Sequence, residues 1–223
     1  MGNICRRIRK PMQGQDRMLL LSCAFVLDKL GTSIRNENPK RAHVSSRVIE
    51  NDMKCVLRDT DEPTLVMLLA VYYLFSLLHV LRLQGQSLCQ FIDTISPLDE
   101  KTYSGFRCIY IMSFRLATKY VTDGYYTNSK NWAKLANVPI PFFHYIERKF
   151  LKEIDYKMDP GGTVIAELTT KLVNVVHVQR EQHAKQTYDY SDASKNSSSE
   201  YWNLSELGGF PISRELGVRC KEA

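Results

Sequence analysis

The sequence predicts an all-α protein, and three observations carry that reading. Apolar residues recur at three- and four-residue spacing in successive segments between residues 15 and 158. Glycine and proline, 11 and 8 of them in 223 residues, fall mainly between those segments. No stretch alternates apolar with polar residues strongly enough to require a sheet. With 44 % hydrophobic and 24 % charged residues the chain can bury one sizeable core and still carry tails. That composition excludes a collagen-like, a fully disordered or a disulfide-knotted protein.

The elements follow in order. Gln15 to Leu30 is a helix that Gly31 is expected to stop, and the polar stretch Thr32–His43 reads as loop. Ser45 to Leu57 places Val48, Ile49, Met53, Val56 and Leu57 near helical spacing. Pro63 then opens a long apolar helix, Thr64–Leu83, preceded by acids and carrying Arg82 near its end, as the helix dipole favours. Its core, Leu65–Leu81, is short for a membrane span and holds Ser76, His79 and two mid-helix tyrosines, so a buried central helix is expected. Gln84–Tyr103, with Gly85 and Pro97, reads as a connection. A helix from Ser104 to Val121 ends at an Asp123-Gly124 turn. Asn128 caps a short helix through Ala136, and Pro139 and Pro141 mark the start of another that ends near Tyr156. Pro160, Gly161 and Gly162 close the compact region. The organisation is therefore a basic segment at 1–14, a helical domain at 15–158, an accessory helix at 159–184 and a mostly disordered tail at 185–223. Val164, Leu168, Leu172, Val175 and Val176 share one face of the accessory helix.

Charge and cysteine usage narrow the function classes. Residues 1–60 hold 12 Lys+Arg against 6 Asp+Glu, a balance of +6, while 61–223 hold 18 of each. A neutral bulk argues against a broad nucleic-acid-binding face. The six cysteines, Cys5, Cys23, Cys55, Cys89, Cys108 and Cys220, are dispersed and form no metal-ligand spacing, so they read as free thiols, most of them packed as small hydrophobes, in a reducing, intracellular compartment. Motifs of the GxxxxGK[ST], HExxH and GxSxG kinds are missing, and His43, His79, His144, His177 and His183 lie apart from acids and cysteines in any ligand spacing. No catalytic residue, metal or cofactor is expected.

Two charges interrupt apolar helical faces. Lys119 follows Cys108, Ile111, Met112 and Leu116 on one stripe, and Glu147 sits among Phe143, Ile146, Phe150, Leu151 and Ile154 on another. Such charges must find partners, in each other as an internal bridge or in another molecule, or reach water along an aliphatic stem.

Residues 106–158 resemble the second half of a cyclin box, most closely in the fungal cyclins that serve the phosphate-pathway kinase and the related plant U/P-type cyclins. The resemblance rests on Phe106-Arg107, Ala117-Thr118-Lys119-Tyr120, Asp123, Tyr126-Thr127-Asn128, Ile146-Glu147-Arg148-Lys149-Phe150-Leu151 and Ile154-Asp155-Tyr156. Ser45–Leu57 and Thr64–Leu83 would then be the first two box helices. Tyr72-Tyr73-Leu74-Phe75 departs from the family's tyrosine-x-x-arginine, and Asn137 stands where a glycine is usual. The resemblance implies a single cyclin-box bundle and a non-enzyme that binds and activates a cyclin-dependent serine/threonine kinase, shifting an existing inactive–active equilibrium. It also implies a partner-binding set of Lys119, Glu147, Tyr120, Asp123, Phe143 and Phe150.

Two alternatives remain open at this point, a membrane-associated helical adaptor and a cyclin-fold factor associated with nucleic acid. The N-terminus, Met1-Gly2-Asn3-Ile4-Cys5-Arg6-Arg7-Ile8-Arg9-Lys10, offers Gly2 and Cys5 for lipidation beside four positive charges. The expected location is intracellular, in cytoplasm, nucleus or both, with a membrane-attached share.

Overall fold

The computed structural model describes residues 14–37, 44–58, 60, 62–95, 104–122 and 128–174. Among the described residues every regular element is a helix. We number them α1 (Gly14–Glu37), α2 (Ser46–Leu57), α3 (Pro63–Leu83), α4 (Leu88–Ile95), α5 (Gly105–Val121), α6 (Ser129–Ala136), α7 (Ile140–Glu153) and α8 (residues 161–174). The domain is built around α3 and α5, which pack along each other; α1 lies against α2 and α3, while α6 and α7 cover α5 and each other.

The two central helices have no solvent face over most of their length. Every residue from Val66 to Leu77 in α3 is buried, and so is every residue from Cys108 to Thr118 in α5. A helix apolar on all sides can only sit inside a core or a membrane. Helix α3 is long and apolar enough to cross a membrane, but here the other helices enclose it. Its hydroxyls are satisfied within the protein. Ser76 Oγ donates to the Tyr72 carbonyl at 2.9 Å, and Tyr73 Oη donates to the Met158 carbonyl at 2.8 Å, pinning the strap after α7 to the middle of α3.

Helix α1 runs through Gly31 to Glu37, so the expected stop at Gly31 and the loop reading of residues 32–37 are corrected, while residues 38–43 lie outside the described residues. Gly31 is there for close packing: a Cβ would lie 3.0 Å from the Phe106 ring of α5. Ile34 beyond it is buried in the core, and Thr32 returns its hydroxyl to the Asp28 carbonyl at 2.9 Å. The connection read at Gln84–Tyr103 contains α4. Ser87 and Gln90 form a reciprocal cap at its start, with Gln90 N donating to Ser87 Oγ at 3.2 Å and Ser87 N to Gln90 Oε1 at 2.7 Å. Leu88, Cys89, Phe91, Ile92 and Ile95 then bury their side chains.

Caps and breaks match local chemistry elsewhere. Ser104 Oγ accepts from Arg107 N at 3.3 Å, and Asn128 Oδ1 accepts from Lys130 N at 3.0 Å. Helix α6 ends at Asn137, whose φ of 59° and ψ of 44° are left-handed. That explains the glycine usual at this position, since asparagine is the side chain that best tolerates this conformation. In α8, Val164, Leu168 and Leu172 face the core, while Val175 and Val176 lie outside the described residues. In α2, Val48 is exposed rather than part of the buried stripe, which consists of Ile49, Asp52, Met53 and Leu57. Of the thiols, Cys23, Cys89 and Cys108 are buried, and desolvation pushes those of Cys23 and Cys108 up to about 12. Cys55 is exposed. Cys5 and Cys220 lie outside the described residues.

Candidate partner-binding site

Lys119 and Glu147 meet. Lys119 leaves the last turn of the central helix α5, and Glu147 projects from the middle of α7, which packs across that end. Lys119 Nζ donates to Glu147 Oε1 at 2.5 Å. The pair is asymmetric in exposure: the Lys119 side chain is 37 % exposed and the Glu147 side chain 9 %. Tyr120, next to Lys119, is 48 % exposed, a large aromatic at the surface where α5 emerges from the core.

A third charge joins them. Arg115, one turn before Lys119, is almost wholly buried and reaches the same carboxylate from inside. Its Nε donates to Glu147 Oε1 at 3.3 Å and its Nη2 to Oε2 at 3.4 Å, while Nη2 also donates to Ser129 Oγ of α6 at 3.0 Å. The guanidinium carbon lies 5.3 Å from the centre of the Phe143 ring, a cation–π contact. His144 Nδ1, three residues before Glu147 on α7, lies 3.4 Å from Oε2. Burial by itself raises the Glu147 pKa, but the hydrogen bond from Lys119 and the charge and hydrogen bonds of Arg115 outweigh it. The carboxyl is therefore held below its usual value and stays ionised.

Phe143 and Phe150, expected to contribute to a partner groove, are fully buried and pack in the core. Both are long apolar residues on the inward face of α7, and hydrophobic burial accounts for them without a partner. Phe143 supports the charge cluster from beneath, through its contact with Arg115. Asp123, Gly2 and Cys5 lie outside the described residues.

Arg115 was not singled out in the sequence, and neither was a second buried ionic group. Asp52 of α2 accepts from Arg107 Nη2 at 2.7 Å and Nε at 2.8 Å, and from the Tyr110 hydroxyl at 2.5 Å. Its hydrogen bond raises the Arg107 pKa further. Burial, followed by the same carboxylate, raises that of Tyr110. This bidentate clamp ties α2 to the start of α5. The signal that exposed Glu147, a carboxylate on an apolar stripe, was present for Asp52 between Ile49 and Met53. A half-open cavity of about 250 Å³ lies between α2, α5 and α6, with Cys55, Thr118 and Trp132 in its wall. Among the described residues no group of three or more His, Cys, Asp or Glu is placed to hold a metal ion.

The site thus offers a half-exposed ammonium, backed by a fixed carboxylate and flanked by an exposed tyrosine, on a rigid helical frame. No curated protein and no solved structure matches the chain. A family model described as Cyclin matches residues 34–158, which contain α2 to α7 and both halves of the Lys119–Glu147 pair. That match spans more than half of the 223 residues, and the chain belongs to the cyclin family.

Proposed function

We propose that this cyclin is a regulatory, non-enzymatic subunit that binds and activates a cyclin-dependent serine/threonine kinase. One observation carries the reading. Lys119 and Glu147, the residues that the family resemblance assigns to the kinase contact, lie in hydrogen-bond contact at the surface end of α5, with Tyr120 exposed beside them. In this reading the chain supplies no catalytic group. It stabilises the active arrangement of the kinase by binding it better than the inactive one. The likeness of residues 106–158 to the phosphate-pathway and U/P-type cyclins supports a role in nutrient or cell-cycle signalling.

The test is a phosphorylation assay with purified cyclin-dependent kinases, each measured with and without the chain. Stimulation of at least one kinase is expected, and equal rates throughout would remove the reading. We further propose that the N-terminal segment carries a share of the protein to a membrane through lipid on Gly2 and Cys5. The four positive charges at Arg6, Arg7, Arg9 and Lys10 would supply the second, electrostatic attachment.

A further inference from the structure

Arg115 spends only part of its donor capacity on Glu147. The guanidinium is a flat fork whose N–H groups point in fixed directions. Its Nε and Nη2 lie side by side against the Glu147 carboxylate, at 3.3 and 3.4 Å. The second Nη2 proton goes to Ser129 Oγ at 3.0 Å. In a planar guanidinium one Nη1 proton runs parallel to that one, so it too is aimed at the start of α6. Nη1 is buried and has no hydrogen-bond partner among the described residues, in a side chain that is almost wholly enclosed. A buried donor left idle is costly, and native cores hold few of them. The end-on edge of the fork thus has one donor on a single hydroxyl oxygen and one unused. Two parallel donors of this kind fit two oxygens of one oxyanion.

The surroundings favour an anion at that edge. Ser129 opens α6 directly after the cap Asn128, so it sits at the positive end of the helix dipole. Residues 128–138 carry Lys130 and Lys134 and no acid. Behind them the cluster sets Arg115 and Lys119 against the carboxylate of Glu147. Burial closes Nη1 to a free ion from solvent. Ser129 is only half-buried, and its hydroxyl already touches the guanidinium.

We propose that Ser129 is a phosphorylation site whose phosphate is held by the end-on edge of Arg115, fastening α6 to α5. A protein kinase transfers the terminal phosphoryl group of a nucleoside triphosphate. The Ser129 Oγ–P bond forms, the bond from that phosphorus to the nucleoside diphosphate breaks, and the hydroxyl proton passes to the acting kinase's base. The product carries a charge of about −1.5 to −2 at neutral pH and three acceptor oxygens. One oxygen takes the place of the hydroxyl at Nη2, a second meets Nη1, and the third faces the first turn of α6. Glu147 keeps the side-on edge, so two anions are held on different edges of one cation. The inference goes beyond the kinase-activating reading and does not depend on it.

Two measurements on the full chain test it. A peptide covering residues 120–130 is taken from chain isolated from its own cells under phosphatase inhibition and analysed by mass spectrometry. Phosphate on Ser129 is expected, and recovery of that residue only in unmodified form would overturn the assignment. For the second, phosphoserine is placed at position 129 during recombinant synthesis, in the parent and beside Arg115→Lys, which keeps a cation but lacks the fork. Phosphoserine is expected to raise the parent's melting midpoint by about 2–4 °C and to lose most of that gain beside Arg115→Lys. A phosphate turned to solvent strips Arg115 of its Ser129 contact, so an unchanged or lowered parent midpoint would overturn the proposal. That comparison needs no Arg115 variant and decides the matter if Arg115→Lys fails to fold. A merely structural arginine lowers both forms alike, and an equal gain with and without Arg115→Lys would overturn the hold of Arg115 on the phosphate.

Discussion

At the scale of the residue, exposure decides what each member of the charge cluster can report. Glu147 is nearly buried between two cations, so Glu147→Ala leaves Arg115 uncompensated in the core and should cost about 3–5 kcal/mol of folding stability. Lys119 is 37 % exposed, so solvent screens its side of the bridge and Lys119→Ala should cost less than about 1 kcal/mol. The same lysine at a desolvated kinase interface should cost ~2–5 kcal/mol of binding, roughly 30-fold or more in affinity. Thermal melts of each free variant, compared with its kinase affinity, separate the two effects. A melting loss in Lys119→Ala large enough to explain its lost binding would sink the interface role. The pH dependence has a definite sign. Because the folded-state pKa of Glu147 is depressed, its contribution is fully present above the unfolded carboxyl value, about 4.3. It is lost as pH falls through the lower folded value. Denaturant midpoints for the parent should therefore fall below that range, and Glu147→Gln should flatten the loss. Asn137 gives a backbone prediction. Its left-handed conformation at the end of α6 should make Asn137→Ala destabilising by ~1 kcal/mol and Asn137→Gly neutral or slightly stabilising, read as shifts in urea midpoint.

At the scale of the element, what was legible in the sequence depended on how many faces a helix buries. Helices with one apolar stripe and a capping residue, such as α6 with Asn128, could be placed from spacing alone. Lys119 and Glu147 stood out because each broke an apolar stripe. Arg115 did not, because spacing alone shows a single apolar stripe on α5; once the helix is surrounded, every charge on it needs a partner, and Arg115 becomes as informative as Lys119. At two other places a single residue carries a stronger local signal than its neighbours. Gly31 reads as a helix end, whereas the close approach of Phe106 selects a residue without a Cβ in mid-helix. Gly85 and Pro97 hid α4, although Ser87 and Gln90 stand at capping-box spacing before an apolar run. The contact of α4 with α5 can be tested at Gly105, where a Cβ would fall 2.3 Å from Ile92 Cγ2. Gly105→Ala should destabilise the domain by ~1–3 kcal/mol through overpacking. In an Ile92→Ala background, which removes the obstructing methyl, the added cost of Gly105→Ala should largely vanish. Full additivity of the two changes in denaturant melts would place the strain elsewhere.

At the scale of the whole molecule, the charge map separates a neutral stretch, residues 61–223, from a basic one, residues 1–60. Residues 61–223 balance at 18 charges of each sign, so the surplus of +6 belongs to residues 1–60, and four of those cations lie in the first ten positions without an acid among them. Such a segment can be attracted to an anionic bilayer, but a few charges alone, or one acyl chain alone, give only reversible attachment. Stable anchoring needs two signals, and Gly2 with Cys5 beside the basic run supplies the chemistry for them. The apolar helix α3 does not compete for this role, because its residues from Val66 to Leu77 are consumed by the core. Membrane attachment and kinase activation should therefore be separable. If Gly2 is acylated as proposed, Gly2→Ala removes that site and lies outside every helix from α1 to α8. It should move the membrane-attached fraction into the soluble fraction while leaving the stimulation of a kinase in solution unchanged. Arg6 stands where an acylation signal usually has serine or threonine, so the distribution of Gly2→Ala relative to the parent is the direct measure of whether that departure matters. Identical distributions would show that the lipid signal at Gly2 is not used. A soluble Gly2→Ala that also failed to stimulate the kinase would show that the front segment and the helical body act together.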